Sequence, residues 1–163
     1  MDFSEHKVKK LLLTPEMAKH KIEQWCAYQE RSQNETRRKL YEYGLHEKDI
    51  EQIISELISE NFLNEERFAL ALAGGKFRIK HWGKIKIKIE LRKHKISDYS
   101  IAKALNTIND DDYLKTITLV LEKKIRQTKS KDKQKLFYGT LNYAVSRGFE
   151  RDLATEQLNK LLK

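Results

Sequence analysis

The sequence lacks most of what marks a disulfide-rich, secreted or membrane protein. Its 163 residues include one cysteine, so no internal disulfide can form and a cysteine-rich zinc knuckle is excluded. No apolar run approaches the roughly 18 residues of a membrane span. Leu11-Leu12-Leu13 is also too short for the apolar core of a signal peptide. We therefore expect a soluble, cytoplasmic protein that does not bind membranes.

Proline and glycine are scarce as well. One proline and six glycines favour a helical chain, because both residues typically interrupt regular structure. Apolar residues recur with the spacing of a helix face almost throughout, as at Ile50, Ile53 and Leu57. Only the segment 84–89 alternates strictly between lysine and isoleucine, which is typical of a strand. A lone strand would have no partner, so we predict a helix there and an all-α fold, with the strand as the alternative.

Similar segments indicate an internal repeat. The residues around Gly44, Lys95 and Gly148 align at offsets of 51 and 53, and an apolar stripe starts six residues beyond each of them. A unit of this size is too small to bury its apolar face alone, so neighbouring units are expected to stack. We predict three tandem three-helix modules in an elongated, curved array. The predicted division is an N-terminal extension (1–14) and modules 15–63, 64–109 and 110–163.

Two positions in the second module depart from the pattern. Lys95 stands where the other modules have glycine, so this turn is expected to lack an easy left-handed residue or to use another geometry. Gly74 and Gly75 fall inside the predicted first helix, where each costs about 1 kcal/mol relative to alanine. The glycine pair allows either a close helix approach or a bend.

Charge is plentiful and unevenly placed. The net charge is +9, with −6 over residues 47–66 and +8 over residues 76–95. This balance favours a polyanionic partner, either nucleic acid or an acidic protein surface, although solubility alone also explains a basic chain. The predicted polyanion-binding residues are the cations of the second module: Lys76, Arg78, Lys80, Lys84, Lys86, Lys88, Arg92 and Lys93.

Apolar residues accompany these cations. If residues 84–91 are helical, Ile87 and Leu91 lie on the core side, and Ile85 and Ile89 form a second apolar stripe on nearly the opposite side. Phosphates gain nothing from isoleucine, so this stripe is predicted to contact a partner protein. The alternative is packing against a neighbouring module. Trp82 has two similar alternatives, burial between helices or stacking on bases.

The sequence contains no catalytic or metal-binding pattern. Its five histidines are scattered, and it has no HExxH motif, phosphate loop or G-x-S-x-G elbow. Cys26 lies on an apolar stripe, so a buried structural thiol is predicted rather than a nucleophile. We expect a protein that is not an enzyme and that holds no metal or cofactor.

Three motifs resemble a known family. The segments 38–45, 62–69 and 83–91 are similar, in order and spacing, to the RecX regulators of bacterial RecA recombinase. The likeness is sharpest over residues 31–105 and agrees with the tandem three-helix modules found from the repeat.

The resemblance implies a non-enzymatic protein that binds the filament of RecA on DNA and inhibits ATP hydrolysis, strand exchange and coprotease activity. We expect a monomer whose cations make weak, salt-sensitive contacts with single- and double-stranded DNA. The alternative is a stand-alone nucleic-acid-binding helical module with no recombinase partner.

Overall fold

The computed structural model describes residues 12–163, and all regular elements in that range are α-helices. The all-α prediction is therefore confirmed, and the alternating lysine–isoleucine segment is a helix rather than a strand. The helices are α1 (Pro15–Tyr28), α2 (Gln33–Glu42), α3 (Glu47–Ser59), α4 (Glu65–Arg78), α5 (Lys84–Lys93), α6 (Asp98–Asn106), α7 (Asp110–Gln127), α8 (Lys133–Ser146) and α9 (Arg151–Leu161).

The helices begin where short-range signals in the sequence place them. Thr14 caps α1 by accepting a hydrogen bond from the Met17 amide, and Pro15 follows at the first helical position. Ser32 and Glu35 form a capping box at the start of α2. Such caps contribute about 1 kcal/mol each. None of the helices within residues 12–163 is long and apolar enough to span a membrane.

The chain divides into two compact units, the first ending at Phe68 and the second comprising Ala69–Lys163. In the first unit α1, α2 and α3 contact one another around a core that includes Ile22, Leu40 and Leu57. In the second unit α5 contacts α6, and α7, α8 and α9 contact one another. The boundaries of the three modules remain a prediction from the sequence.

The α2–α3, α5–α6 and α8–α9 turns all use the left-handed backbone region. The φ angles are 84° at Gly44, 97° at Gly148 and 59° at Lys95. Lys95 therefore adopts the geometry of the two glycines, at a cost of roughly 1 kcal/mol. The next residue, Ile96, is buried and its amide bonds to the Leu91 carbonyl at 3.2 Å. Burial of this isoleucine and its hydrogen bond offset the strain.

The two glycines of α4 have different surroundings. Among the described residues, a Cβ on Gly75 would meet no atom within 4 Å. The three atoms nearest to a Cβ on Gly74 all belong to the Arg78 side chain of the same helix, the first at 2.7 Å. A close helix approach at Gly75 is therefore not seen, and the role of Gly74 stays a prediction.

The first unit contains the buried thiol of Cys26. Its side chain is buried, and this burial raises the pKa of the thiol to about 11. The folded state thus favours the protonated thiol. The resulting stabilisation is complete below the unfolded-state pKa of about 8.5 and is lost as the pH rises through 11.

We expect Cys26 to react slowly with dithiobis-nitrobenzoate in the native protein at pH 8 and rapidly in urea. The reaction is followed by absorbance, and the chain has no second thiol to confuse it. Equal rates in the native and unfolded protein would contradict the buried structural role.

Candidate functional site

Helix α5 has one buried side and one exposed side. Ile87 and Leu91 are fully buried, whereas Ile85 and Ile89 are 46% and 51% exposed. Because a helix turns by about 100° per residue, residues two apart in this segment lie on different sides. The apolar stripe expected from the sequence is thus open to solvent.

Three of the predicted cations share a groove between α5 and α6. Lys84, Lys88 and Arg92 are spaced four residues apart, so their side chains lie above one another on the same helix face. The groove has a volume of about 590 Å³. Its lining is completed by Ile85, Asp98, Ile101, Ala102, Leu105, Asn106 and Glu150. The arrangement combines cations on one wall with an apolar floor.

The acidic side chains near this groove neutralise its cations only weakly. Arg92 lies 3.7 Å from Asp98, and Lys84 lies 4.0 Å from Asp110. Both carboxylates are almost fully exposed, so each pair contributes little. Lys88 has no ion pair with any residue in the described range. The groove lining thus carries three cations against the two carboxylates of Asp98 and Glu150.

A second group of cations surrounds Trp82. The ammonium groups of Lys76 and Lys86 lie 4.6 and 4.4 Å from the centre of the indole ring, within the range of cation–π attraction. Trp82 is half-buried, while Phe77 is buried against Tyr113 with ring centres 5.9 Å apart. Phe77 is thus a core residue, and only Trp82 presents part of its ring among cations.

The remaining predicted cations lie outside these two groups. Arg78 and Lys80 are exposed at the end of α4. Lys93 is exposed on α5 and lies 3.9 Å from Glu90. The structure thus brings five of the eight cations into two groups and leaves the other three outside them.

The start of α5 is held by the turn between α8 and α9. The Gly83 amide donates to the Arg147 carbonyl at 2.8 Å, and the Ile85 amide donates to the Gly148 carbonyl at 3.0 Å. These bonds satisfy amides that a helix N-terminus leaves free. The turn therefore sets the position of the groove wall.

Tyr113 completes this support. Its hydroxyl accepts from the Lys84 amide at 3.0 Å and donates to Glu150 at 2.6 Å. Burial, assisted by the Glu150 carboxylate, raises the pKa of the Tyr113 phenol well above its ordinary value. The phenol therefore stays protonated and keeps donating. Sequence reasoning missed Tyr113 and Glu150 in this role, because their bond joins residues 37 positions apart.

The described residues hold no group of three or more histidine, cysteine, aspartate or glutamate side chains suited to a metal ion. The structure instead presents tandem helices with a cationic, partly apolar surface. The class that these observations define is an all-α protein of tandem helices with a cationic groove.

Comparison with known proteins shows which proteins this chain is similar to. Residues 64–105 match the family model for the second three-helix domain of RecX. Regulatory protein RecX of Clostridium perfringens (strain 13 / Type A) is 30% identical over 133 residues, which cover 80% of this chain and 62% of that protein. Regulatory protein RecX of Clostridioides difficile (strain 630) is 26% identical over 145 residues, covering 89% and 68%. The chain thus spans about three-fifths of the first relative.

Solved structures show the same fold. The crystal structure of RecX from Lactobacillus salivarius superposes with a TM-score of 0.80 at 21% identity, covering 90% of this chain and 96% of that chain. A second crystal structure of a regulatory protein RecX gives a TM-score of 0.82 at 17% identity, covering 90% and 71%. The resemblance to the RecX family is confirmed, and the chain is a relative of the RecX regulatory proteins.

Proposed function

We propose that the chain is a non-enzymatic regulator of RecA recombinase. It binds RecA and its filament on DNA and inhibits ATP hydrolysis, strand exchange and coprotease activity, and so modulates recombination, repair and the SOS response. Kinship with the RecX regulatory proteins supports this role. The observation that carries it is the exposed cationic groove beside an apolar stripe on α5, a surface suited to a partner made of protein and nucleic acid.

Contacts with DNA follow from the same surface. Lys76, Lys86 and the other cations of α4 and α5 are placed to neutralise phosphates, and the chain carries a net charge of +9. Each phosphate contact releases counterions, so DNA binding by the monomer weakens as salt rises. The groove cations and Ile85 and Ile89 then provide contacts to RecA itself.

A stand-alone nucleic-acid-binding module is the second candidate. Trp82 between two lysines favours it, because an aromatic ring among cations suits single-stranded nucleic acid. Such a module would affect RecA only by competing for DNA.

ATP hydrolysis by RecA on single-stranded DNA distinguishes the two candidates. A filament regulator inhibits at sub-stoichiometric ratios to RecA, and adding more DNA does not relieve the inhibition. A competitor for DNA loses its inhibition once DNA is in excess. Inhibition that disappears in this way would overturn the proposed function.

Replacing both Ile85 and Ile89 with serine tests the apolar stripe. Each side chain is about half exposed, so we expect the melting temperature to fall by only a few degrees. Inhibition of RecA should weaken roughly tenfold, because the contact surface loses its apolar part. Inhibition is measured by ATP hydrolysis and stability by circular dichroism.

The matched control is Ile79→Ser, since Ile79 is 76% exposed in the same cationic segment but does not line the groove. It should retain inhibition. A large drop in melting temperature for the double variant would mean that Ile85 and Ile89 belong to the core.

A further inference from the structure

We infer that the groove between α5 and α6 docks an acidic segment of a protein partner, with carboxylates on Lys84, Lys88 and Arg92 and an apolar side chain over Ile85 and Leu105. The inference rests on the proposed function only in taking RecA as that partner. Its chemistry follows from comparing this groove with a second groove in the first unit.

The second groove lies between α2 and α3 and has a volume of about 400 Å³. Its lining residues are Asn34, Arg37, Arg38, Tyr41, Glu47, Ile50 and Glu51. When 51 is added to each residue number, all of these residues except Arg38 fall on residues that line the α5–α6 groove. In the same order, the counterparts are Ile85, Lys88, Arg92, Asp98, Ile101 and Ala102. The repeat therefore builds the same groove twice.

The two grooves differ in one decisive pair. In the first unit Arg37 holds Glu51 through two hydrogen bonds, Nε to Oε1 at 2.5 Å and Nη2 to Oε2 at 3.1 Å. This bidentate pair joins α2 to α3 across the groove. In the second unit the counterpart of Glu51 is Ala102, so the pair that Arg37 makes has no equivalent at Lys88. The carboxylates that line the second groove, Asp98 and Glu150, stand at other positions, and among the described residues neither forms an ion pair with Lys88.

The α5–α6 groove also has more cationic and more apolar lining. Its counterparts of Asn34 and Tyr41 are Ile85 and Arg92, and Leu105 extends the apolar floor. The three cations follow one another by about one helical turn, near 6 Å. A segment with carboxylates at this interval and apolar side chains between them complements both features.

A nucleic-acid strand fits this groove less well. Phosphates gain nothing from Ile85 or Leu105, and the carboxylates of Asp98 and Glu150 in the lining repel a continuous polyanion. Charge complementarity and the apolar floor together favour a protein partner.

Ala102→Glu tests the inference by giving the second groove the carboxylate that the first already has. The side chain of Ala102 is exposed, so the helix tolerates glutamate, and the new carboxylate should pair with Lys88. We expect the variant to bind the RecA filament on DNA at least tenfold more weakly, because the new carboxylate takes the place of a partner's carboxylate on Lys88. Binding of the full chain is measured by fluorescence anisotropy.

Two matched controls accompany this variant. Ala71→Glu adds the same charge to an exposed alanine of α4 outside the groove, and Ala102→Gln adds a similar bulk without charge. Both should bind the filament within about twofold of the unmodified chain. Equal weakening by Ala71→Glu, or no weakening by Ala102→Glu, would overturn the inference.

A peptide probe separates failure of the groove from failure of the proposed function. The probe has about 12 residues, with glutamate at every fourth position and leucines between, and a second peptide carries glutamine instead. The glutamate peptide should bind the unmodified chain, and its affinity for the Ala102→Glu variant should be at least tenfold lower. Its affinity for the unmodified chain should also be at least tenfold higher than that of the glutamine peptide.

If these peptide results hold while the chain fails to bind RecA, the groove stands and the proposed function falls. If both peptides bind equally, or neither binds, or excess oligothymidylate displaces the glutamate peptide completely, the groove assignment falls.

Discussion

Replacing Gly83 with alanine should destabilise the second unit by about 3 kcal/mol, the upper range for overpacking. A Cβ at this position would lie 2.2 Å from both the carbonyl carbon and the carbonyl oxygen of Gly148, and 2.4 Å from the Phe149 amide nitrogen. These are backbone atoms, which cannot rotate away as a side chain can. The hydrogen bond from the Gly83 amide to Arg147 would be strained at the same time.

The effect is measured by thermal unfolding, where this loss corresponds to a fall on the order of 15 °C for a unit of this size. Gly75→Ala is the control, because its Cβ meets nothing within 4 Å in the described part of the chain. That variant should gain about 0.5–1 kcal/mol from the better helix propensity of alanine. Similar melting temperatures for the two variants would refute the close contact at Gly83.

Reversing the charge of Lys84, Lys88 and Arg92 to glutamate should weaken binding to the RecA filament roughly a hundredfold, with weaker binding of single-stranded DNA as well. The three side chains line one wall of the groove, so the substitution replaces an attractive surface with a repulsive one. Binding is measured by fluorescence anisotropy at two salt concentrations. Helical circular dichroism should remain unchanged, because the buried residues of α5 are untouched.

The control for this variant makes the same change of charge elsewhere in the second unit. Lys123, Lys129 and Lys131 are exposed near the connection between α7 and α8. Their reversal to glutamate should reduce filament binding far less, since they lie outside the groove. If both triple variants lose the same affinity, net charge rather than the groove governs binding.

Much of the local structure could be read from the sequence. Caps such as Ser32 with Glu35, the stops at Gly44 and Gly148, and the apolar periodicity all act within a few residues of the chain. Such short-range physics predicts an all-α fold and the side of α5 that faces solvent. Residues 84–89 alternate as a strand does, yet they form a helix. Ile87 and Leu91, four residues apart, are buried on one side of that helix.

The candidate site was only partly predictable. Counting charge placed the cations on the second module, and helical geometry placed Ile85 and Ile89 on one exposed stripe. The sequence did not show that Lys84, Lys88 and Arg92 share a groove, or that Lys76 and Lys86 lie beside the Trp82 ring. That division depends on the helices against which each face of α5 packs.

Lys95 shows the limit of residue preferences. The sequence left open whether the turn at Lys95 would manage without an easy left-handed residue or use another geometry. The turn keeps its left-handed form, and Ile96 is buried beyond it. A tertiary contact outweighs a local cost of roughly 1 kcal/mol.

By itself, the sequence determined the helical class, the starts and stops of helices, the repeat and the module that carries the charge. Only the tertiary structure decided which cations meet, that Gly83 lies against Gly148, and that Arg37 pairs with Glu51 in one groove whereas Lys88, its counterpart in the other, has no ion pair among the described residues. The reason is physical: caps and periodicity act between neighbours in the chain, whereas grooves form between residues that only folding brings together.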